Sequence, residues 1–165
     1  MSAATLIGTV GGVGYLRPAP GTWGSLAALP LAWLLHQMGG FPLLALATAG
    51  TYFAGLWATR VMTEGQADHD PSEIVIDEVA GQFLALWALS LPAWLHGLDI
   101  SALWPGWIAA FVLFRLFDIT KPGPVGWADR RGDPTGVMLD DIIAGLFAAI
   151  GTALLAALFH GVLGL

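Results

Sequence analysis

The run Ile142-Ile143-Ala144-Gly145-Leu146-Phe147-Ala148-Ala149-Ile150-Gly151-Thr152-Ala153-Leu154-Leu155-Ala156-Ala157-Leu158-Phe159-His160-Gly161-Val162-Leu163-Gly164-Leu165 holds 24 residues and no Asp, Glu, Lys or Arg. A helix rises about 1.5 Å per residue and a bilayer core is about 30 Å thick, so roughly 20 apolar residues cross it. This stretch is long enough. Four more apolar stretches precede it: Leu26–Met38, Leu43–Met62, Val79–Leu98 and Ala102–Phe117. The second and third also have spanning length. The fourth is slightly short, and the first, closed by Gly39-Gly40-Phe41-Pro42, is short enough for a half-span or a tilted helix. Over the whole chain of 165 residues, 56% are apolar and 11% charged, against about 45–50% and about 25% in soluble domains. Too few charges remain to cover a water-facing surface. The reading is an all-α integral membrane bundle of about five apolar helices, forming a single domain over residues 1–165.

Charge and composition exclude several functions. Six basic residues and a net charge of −6 offer no basic groove for nucleic acid. The absence of cysteine removes thiol nucleophiles and thiolate metal sites. Met1–Gly14 is uncharged and glycine-rich, which predicts no cleavable signal peptide. Gly11-Gly12-Val13-Gly14 lacks the GK[ST] ending of a P-loop. Asp68-His69-Asp70-Pro71-Ser72 lacks the strand and the Thr/Val of a DxDx[TV] phosphatase loop.

The charges that are present lie together. If all five stretches cross, the N-terminal segment and loops 63–78 and 118–141 share one side. Arg17, Arg60, Arg115, Lys121, Arg130 and Arg131 all fall on or beside that side, which the positive-inside rule makes cytoplasmic. Eleven of the twelve acids join them, and only Asp99 does not. The rule does not ask for acids. Asp77-Glu78 stand at the start of the third helix, Asp118 at the end of the fourth, and Asp140-Asp141 at the start of the fifth. Acids this close to a bilayer persist mainly when paired, hydrated or bound to a cation. Clustered carboxylates suit a hard divalent ion, Mg²⁺ first, which keeps waters for a substrate phosphate.

Simpler explanations exist for each group. The helix dipole stabilises acids in a first turn by about 0.3–1 kcal/mol, which would account for Asp77-Glu78 or Asp140-Asp141. It disfavours Asp118 at a C-terminus, where ion pairs to Arg115 or Lys121 are the alternative. Arg115, Asp118 and Lys121 recur every third residue and so share a side, with Pro122 ending the helix. An Arg fork and a Lys point charge beside carboxylates suit phosphate. For Arg130 and Arg131 membrane anchoring suffices. Thr22 or Ser25, in Pro20-Gly21-Thr22-Trp23-Gly24-Ser25, is placed to cap the first helix. Its free N–H groups offer an anion site. His36, His96 and His160 map to the outer helix ends, with Trp94, Trp104 and Trp107 near the outer loop and Trp23 and Trp127 at the inner face, as in aromatic belts. Small residues Ala144, Ala148, Thr152 and Ala156, with Gly145, Ala149, Ala153 and Ala157, suit close helix packing inside the subunit or in a homodimer.

Four segments in order carry a family likeness: Pro20-Gly21-Thr22-Trp23-Gly24-Ser25, Ile74-Val75-Ile76-Asp77-Glu78-Val79-Ala80-Gly81, Phe114-Arg115-Leu116-Phe117-Asp118-Ile119-Thr120-Lys121-Pro122, and Gly136-Val137-Met138-Leu139-Asp140-Asp141-Ile142-Ile143-Ala144-Gly145. Together they resemble the phosphatidylglycerophosphatase A family from about Gly14 to about Gly145. The resemblance implies a Mg²⁺-dependent, multi-pass lipid phosphatase of the bacterial inner membrane, its active site at the cytoplasmic face. It would convert phosphatidylglycerophosphate in the bilayer to phosphatidylglycerol and inorganic phosphate. By position it implicates Asp70, Asp77, Glu78, Asp118, Asp129, Asp140 and Asp141, the cations Arg115, Lys121 and Arg130, and Thr22 and Ser25. The expected roles are metal binding by Asp77, Asp118, Asp140 and Asp141, with Glu78 as base. Arg115 and Lys121, helped by Arg130, Thr22 and Ser25, are expected to hold phosphate, with Asp70 and Asp129 as additional acids. From another class, a small transporter or ion-binding membrane protein would use the same carboxylates, with acids placed mid-span and on both sides.

Overall fold

The structure is a computed structural model that describes residues 1–162, with side chains to residue 159. The reading of His160, and residues 163–165 of the last apolar stretch, lie outside what is described. The described residues form helices and no strand. These are α1 (Ala3–Gly8), α2 (Pro20–Thr63), α3 (Ile76–Ala85), α4 (Trp87–His96), α5 (Trp104–Thr120), α6 (Pro124–Asp129) and α7 (Pro134–Val162). Three of these segments, around α2, α5 and α7, are long and apolar enough to cross a membrane. The pair α3–α4, bent by 44°, makes a fourth if taken as one span.

The first two apolar stretches are the limbs of α2, which is broken where Gly39 and Gly40 leave helical geometry and Gly40 takes a φ of 63°. Only a residue without a Cβ adopts such a backbone freely. The break reverses the chain. Going down the first limb, Gly24 faces Val75 and His36 bonds Ser90. On the way back, Phe41 stacks edge-on to Trp87, Trp87 donates to Thr48, and Gly55 faces Ile76. Both limbs therefore flank α3–α4 in opposite directions. The first limb begins at Pro20, six residues before the apolar run, so its short apolar length understates the helix.

Polarity is arranged inside out relative to a soluble domain. Leu31, Leu34, Leu46, Phe53, Ile108, Val112, Ile150, Leu154 and Leu158 are exposed, while Asp77, Asp140 and Asp141 are buried. An apolar belt of this extent belongs against lipid. The interior holds mainly small or moderate side chains, Ala28, Ala32, Val79, Ala110, Ala144 and Ala148, around Phe83, Leu86 and Phe114. Of the small-residue rows on α7, Ala144, Ala148, Thr152 and Gly145 are buried within the subunit.

Helices α3 and α7 approach backbone to backbone at two glycines. A Cβ on Gly145 would collide with the Gly81 backbone, and one on Gly81 with the Asp141 carbonyl and the Phe114 ring. One helical turn earlier stand Asp77 on α3 and Asp141 on α7, on the faces of those two glycines. The glycine crossing thus brings the two acidic pairs level.

Candidate active site

At one end of the bundle a cleft of about 310 Å³ is lined by five segments. The start of α2 supplies Ala19, Pro20 and Gly21, and the loop before α3 supplies Asp70, Ser72 and Ile74. Asp77 and Glu78 come from α3, Arg115 and Asp118 from α5 with Lys121 just beyond it, and Asp140 and Asp141 from α7. Six carboxylates face two cations. Acids from three separated stretches are gathered as the sequence leads one to expect.

The local reasons differ by segment. Asp77 and Glu78 occupy the first turn of α3, whose N-cap Val75 contributes no side-chain bond, so dipole stabilisation applies to them. Asp140 and Asp141 do not start a helix. The last helix begins at Pro134, and its first turn contains no acid, which removes the helix-dipole explanation for that pair. Asp118 lies in the last turn of α5 and is held by Arg115 Nη1 at 2.5 Å. Lys121 closes α5 in the left-handed region, with a φ of 47°. From there Nζ reaches Asp140 Oδ2 at 2.5 Å, Asp129 Oδ1 at 2.6 Å and Asp118 Oδ1 at 4.0 Å. Partial burial opposes the charge on Lys121, but the hydrogen bonds to Asp129 and Asp140 outweigh it and raise its pKa above that of an ordinary lysine. Lys121 therefore stays protonated.

Ion pairing accounts for only part of the cluster. Among the described residues, no cation pairs with Asp77, Glu78 or Asp141. Asp77 Oδ1, Glu78 Oε2 and Asp141 Oδ2 are buried without a hydrogen-bond partner. An unpaired buried carboxylate costs several kcal/mol. Asp77, Glu78 and Asp141 form one group whose ligand oxygens all lie within 4.8 Å of one another, and Asp118, Asp140 and Asp141 form a second. Asp141 belongs to both. Oxygen-only sets with orphaned atoms fit a hard metal cation.

The remaining sequence-predicted residues are placed as follows. Ser25 is fully buried; Oγ donates to the Gly21 carbonyl at 2.9 Å and accepts from Arg115 Nη1 at 3.5 Å. It braces the arginine and the turn, and neither it nor Thr22 caps the helix, whose N-cap is Ala19. Thr22 and Arg130 are outside the cleft lining, and Arg130 is exposed. Asp70 is at the mouth, while Asp129 touches the site only through Lys121. Two residues of the site are not singled out by the sequence. Gly21 lies so close to Glu78 Oε1 that a Cβ there would overlap it, and Ser72 lines the mouth. The Pro-Gly-Thr-Trp-Gly-Ser turn was the available signal for Gly21; nothing in the sequence marks Ser72.

The family model described as Phosphatidylglycerophosphatase A matches residues 6–156. A Haemophilus influenzae protein named Phosphatidylglycerophosphatase A is 36% identical over 140 residues, covering 84% of this chain and 80% of the relative. The Escherichia coli K12 protein of the same name is 35% identical over 140 residues, covering 84% and 74%. A Bacteroides thetaiotaomicron protein, whose name marks it as a candidate phosphatidylinositol-3-phosphatase, is 38% identical over 149 residues, 88% of each chain. No solved structure matches the chain. The chain belongs to the phosphatidylglycerophosphatase A family and is, with it, a phosphatase.

Proposed function

We propose that this chain is a Mg²⁺-dependent lipid phosphatase of the bacterial inner membrane. In this reading it hydrolyses phosphatidylglycerophosphate to phosphatidylglycerol and inorganic phosphate, as the last step of phosphatidylglycerol synthesis. The observation that carries the reading is the trio Asp77, Glu78 and Asp141, each with a buried, unbonded oxygen, at the polar end of an apolar bundle. The relatives named for phosphatidylglycerophosphate support the substrate. The sidedness of the basic residues supports a cytoplasmic site. A transporter would need acids along a path through the bundle; here every acid except Asp99 is at or near one end of the sequence topology.

Asp77, Asp118, Asp140 and Asp141 would hold one or two Mg²⁺ ions, with Asp141 shared between the two oxygen groups. When bound, the metal polarises phosphoryl oxygens and lowers the pKa of water for in-line attack. Glu78, beside Asp77 and Asp141, takes the proton of the attacking water. Water oxygen bonds to phosphorus, the ester P–O bond breaks, and the lipid alkoxide leaves as the alcohol by taking up the proton that Glu78 received. Arg115 and Lys121 hold the phosphate and offset the charge that develops. Lys121 also fixes Asp140 and Asp129, so one cation serves both acid positioning and phosphate. The acyl tails stay in the bilayer. Attack by Asp77 itself, forming an aspartyl phosphate, is the competing chemistry.

The test is phosphate release from phosphatidylglycerophosphate by detergent-solubilised protein. Chelation should abolish release and Mg²⁺ should restore it. Asp77→Asn and Asp118→Asn should reduce it to background. Full activity of both variants would remove this metal assignment, and activity after complete stripping of divalent ions would remove the mechanism.

A further inference from the structure

We infer that Arg17 is the residue that recognises the internal phosphodiester of the lipid, and so selects a substrate with two phosphates over a simple monoester. The inference rests on the substrate reading above. Phosphatidylglycerophosphate carries a terminal phosphomonoester, a glycerol, a phosphodiester and then its acyl tails. Five carboxylates from α3, α5 and α7 line the cleft with two cations, a sixth acid, Asp70, stands at its mouth, and each cation already pairs with a carboxylate and has the monoester to hold as well. A second phosphate cannot sit among those acids. It needs a cation at the mouth.

Arg17 is placed for this. It is exposed, and its Nη1 donates to Ser72 Oγ at 3.1 Å, on the lining of the cleft. Its partner is a neutral hydroxyl; no described carboxylate forms an ion pair with it, in contrast to Arg115, Lys121 and Arg131. Arg60 and Arg130 are exposed too, but neither bonds a residue of the cleft. The ground around Arg17 is built rather than loose. The Val75 amide donates to the Gly8 carbonyl at 2.9 Å, and a Cβ on Gly14 would collide with the Glu73 carbonyl. Two separate contacts thus hold the N-terminal segment against the loop that carries Ser72. Beside Arg17 in the chain, Tyr15 and Leu16 are exposed, as suits residues that meet acyl chains at an interface. Arg17 thus joins the carboxylate-lined cleft, through Ser72, to exposed apolar neighbours in the chain, as the diester joins the monoester to the tails. An arginine fork makes two parallel hydrogen bonds to a phosphodiester.

The experiment measures steady-state phosphate release from phosphatidylglycerophosphate by wild-type, Arg17→Gln and Arg17→Lys proteins in detergent. Two inhibitors are compared: short-chain phosphatidylglycerol, which has only the diester, and inorganic phosphate, which has only the monoester group. Arg17→Gln should raise KM about tenfold with kcat little changed, and weaken inhibition by phosphatidylglycerol to a similar extent. Inhibition by inorganic phosphate should hold, which also reports an intact floor. Arg17→Lys should recover part of the loss. Equal weakening of both inhibitors, no change in either, or a fall in kcat at constant KM would each overturn the inference. A wild-type protein that releases no phosphate from this lipid would instead defeat the substrate reading on which it rests.

Discussion

A methyl group at Gly21 would fall onto Glu78 Oε1 and come near Arg115 Nη1. The residue works by absence: it lets the first turn of α2 close over a carboxylate whose other oxygen has no partner. Gly21→Ala should therefore displace Glu78 while leaving the apolar bundle intact. Phosphate release is expected to fall toward the level of Glu78→Gln, for which removal of a general base predicts a loss of about 10²–10⁴-fold. The unfolding midpoint should move little in either variant. A Gly21→Ala protein of wild-type activity would show that Glu78 does not act from its present position. Asp118 behaves differently from Asp77 at this scale, because Arg115 already compensates it. Arg115→Gln is expected to leave Asp118 unbalanced and to lower both activity and stability, read by phosphate release and by thermal unfolding.

Among the elements, the α3–α7 crossing controls the site. Gly81 and Gly145 let two backbones approach until each lacks room for the other's Cβ, and the acids one turn away inherit that spacing. Gly145→Ala should force the helices apart at a cost of about 1–3 kcal/mol, the usual range for overpacking. The same change should loosen Asp141 from Asp77 and Glu78. The expected result is a lower unfolding midpoint together with weaker activation by Mg²⁺, a combination that a surface change such as Ala153→Leu should not produce. The Gly39–Gly40 break is the second decisive element. Without it α2 would continue as a 44-residue rod, and its two limbs could not both flank α3–α4.

For the whole molecule, the charge distribution predicts sidedness. The chain contains no cysteine, so single cysteines report cleanly. Asp99→Cys, between α4 and α5, and Arg130→Cys, after α6, should be labelled by an impermeant thiol reagent from opposite sides of sealed membranes. Labelling of both from one side would contradict a bundle that crosses with its acidic end on a single face. The exposed apolar belt and the buried acids also bind the fold to its solvent: in lipid the belt is satisfied, and the acids at the end of the bundle stay within reach of water and cations.

Much of this was legible in the residues themselves. Five apolar stretches, the one-sided charges and the three acidic segments follow from length, hydropathy and order along the chain, because a bilayer imposes a nearly fixed helix length and a strong penalty on charge. Helix starts were less visible: α7 begins at Pro134, so Asp140 and Asp141 stand inside a helix and not at its cap, since polar residues at a membrane face continue a helix without any hydropathy signal. The sequence alone determined that this is a helical membrane protein with its carboxylates at one end. Only the tertiary structure decided which of them lack partners, that Asp141 is common to two oxygen groups, and that Arg17 meets Ser72 at the mouth. Those facts depend on distances between segments far apart in the chain, and such distances are set by how closely the helices pack at glycine.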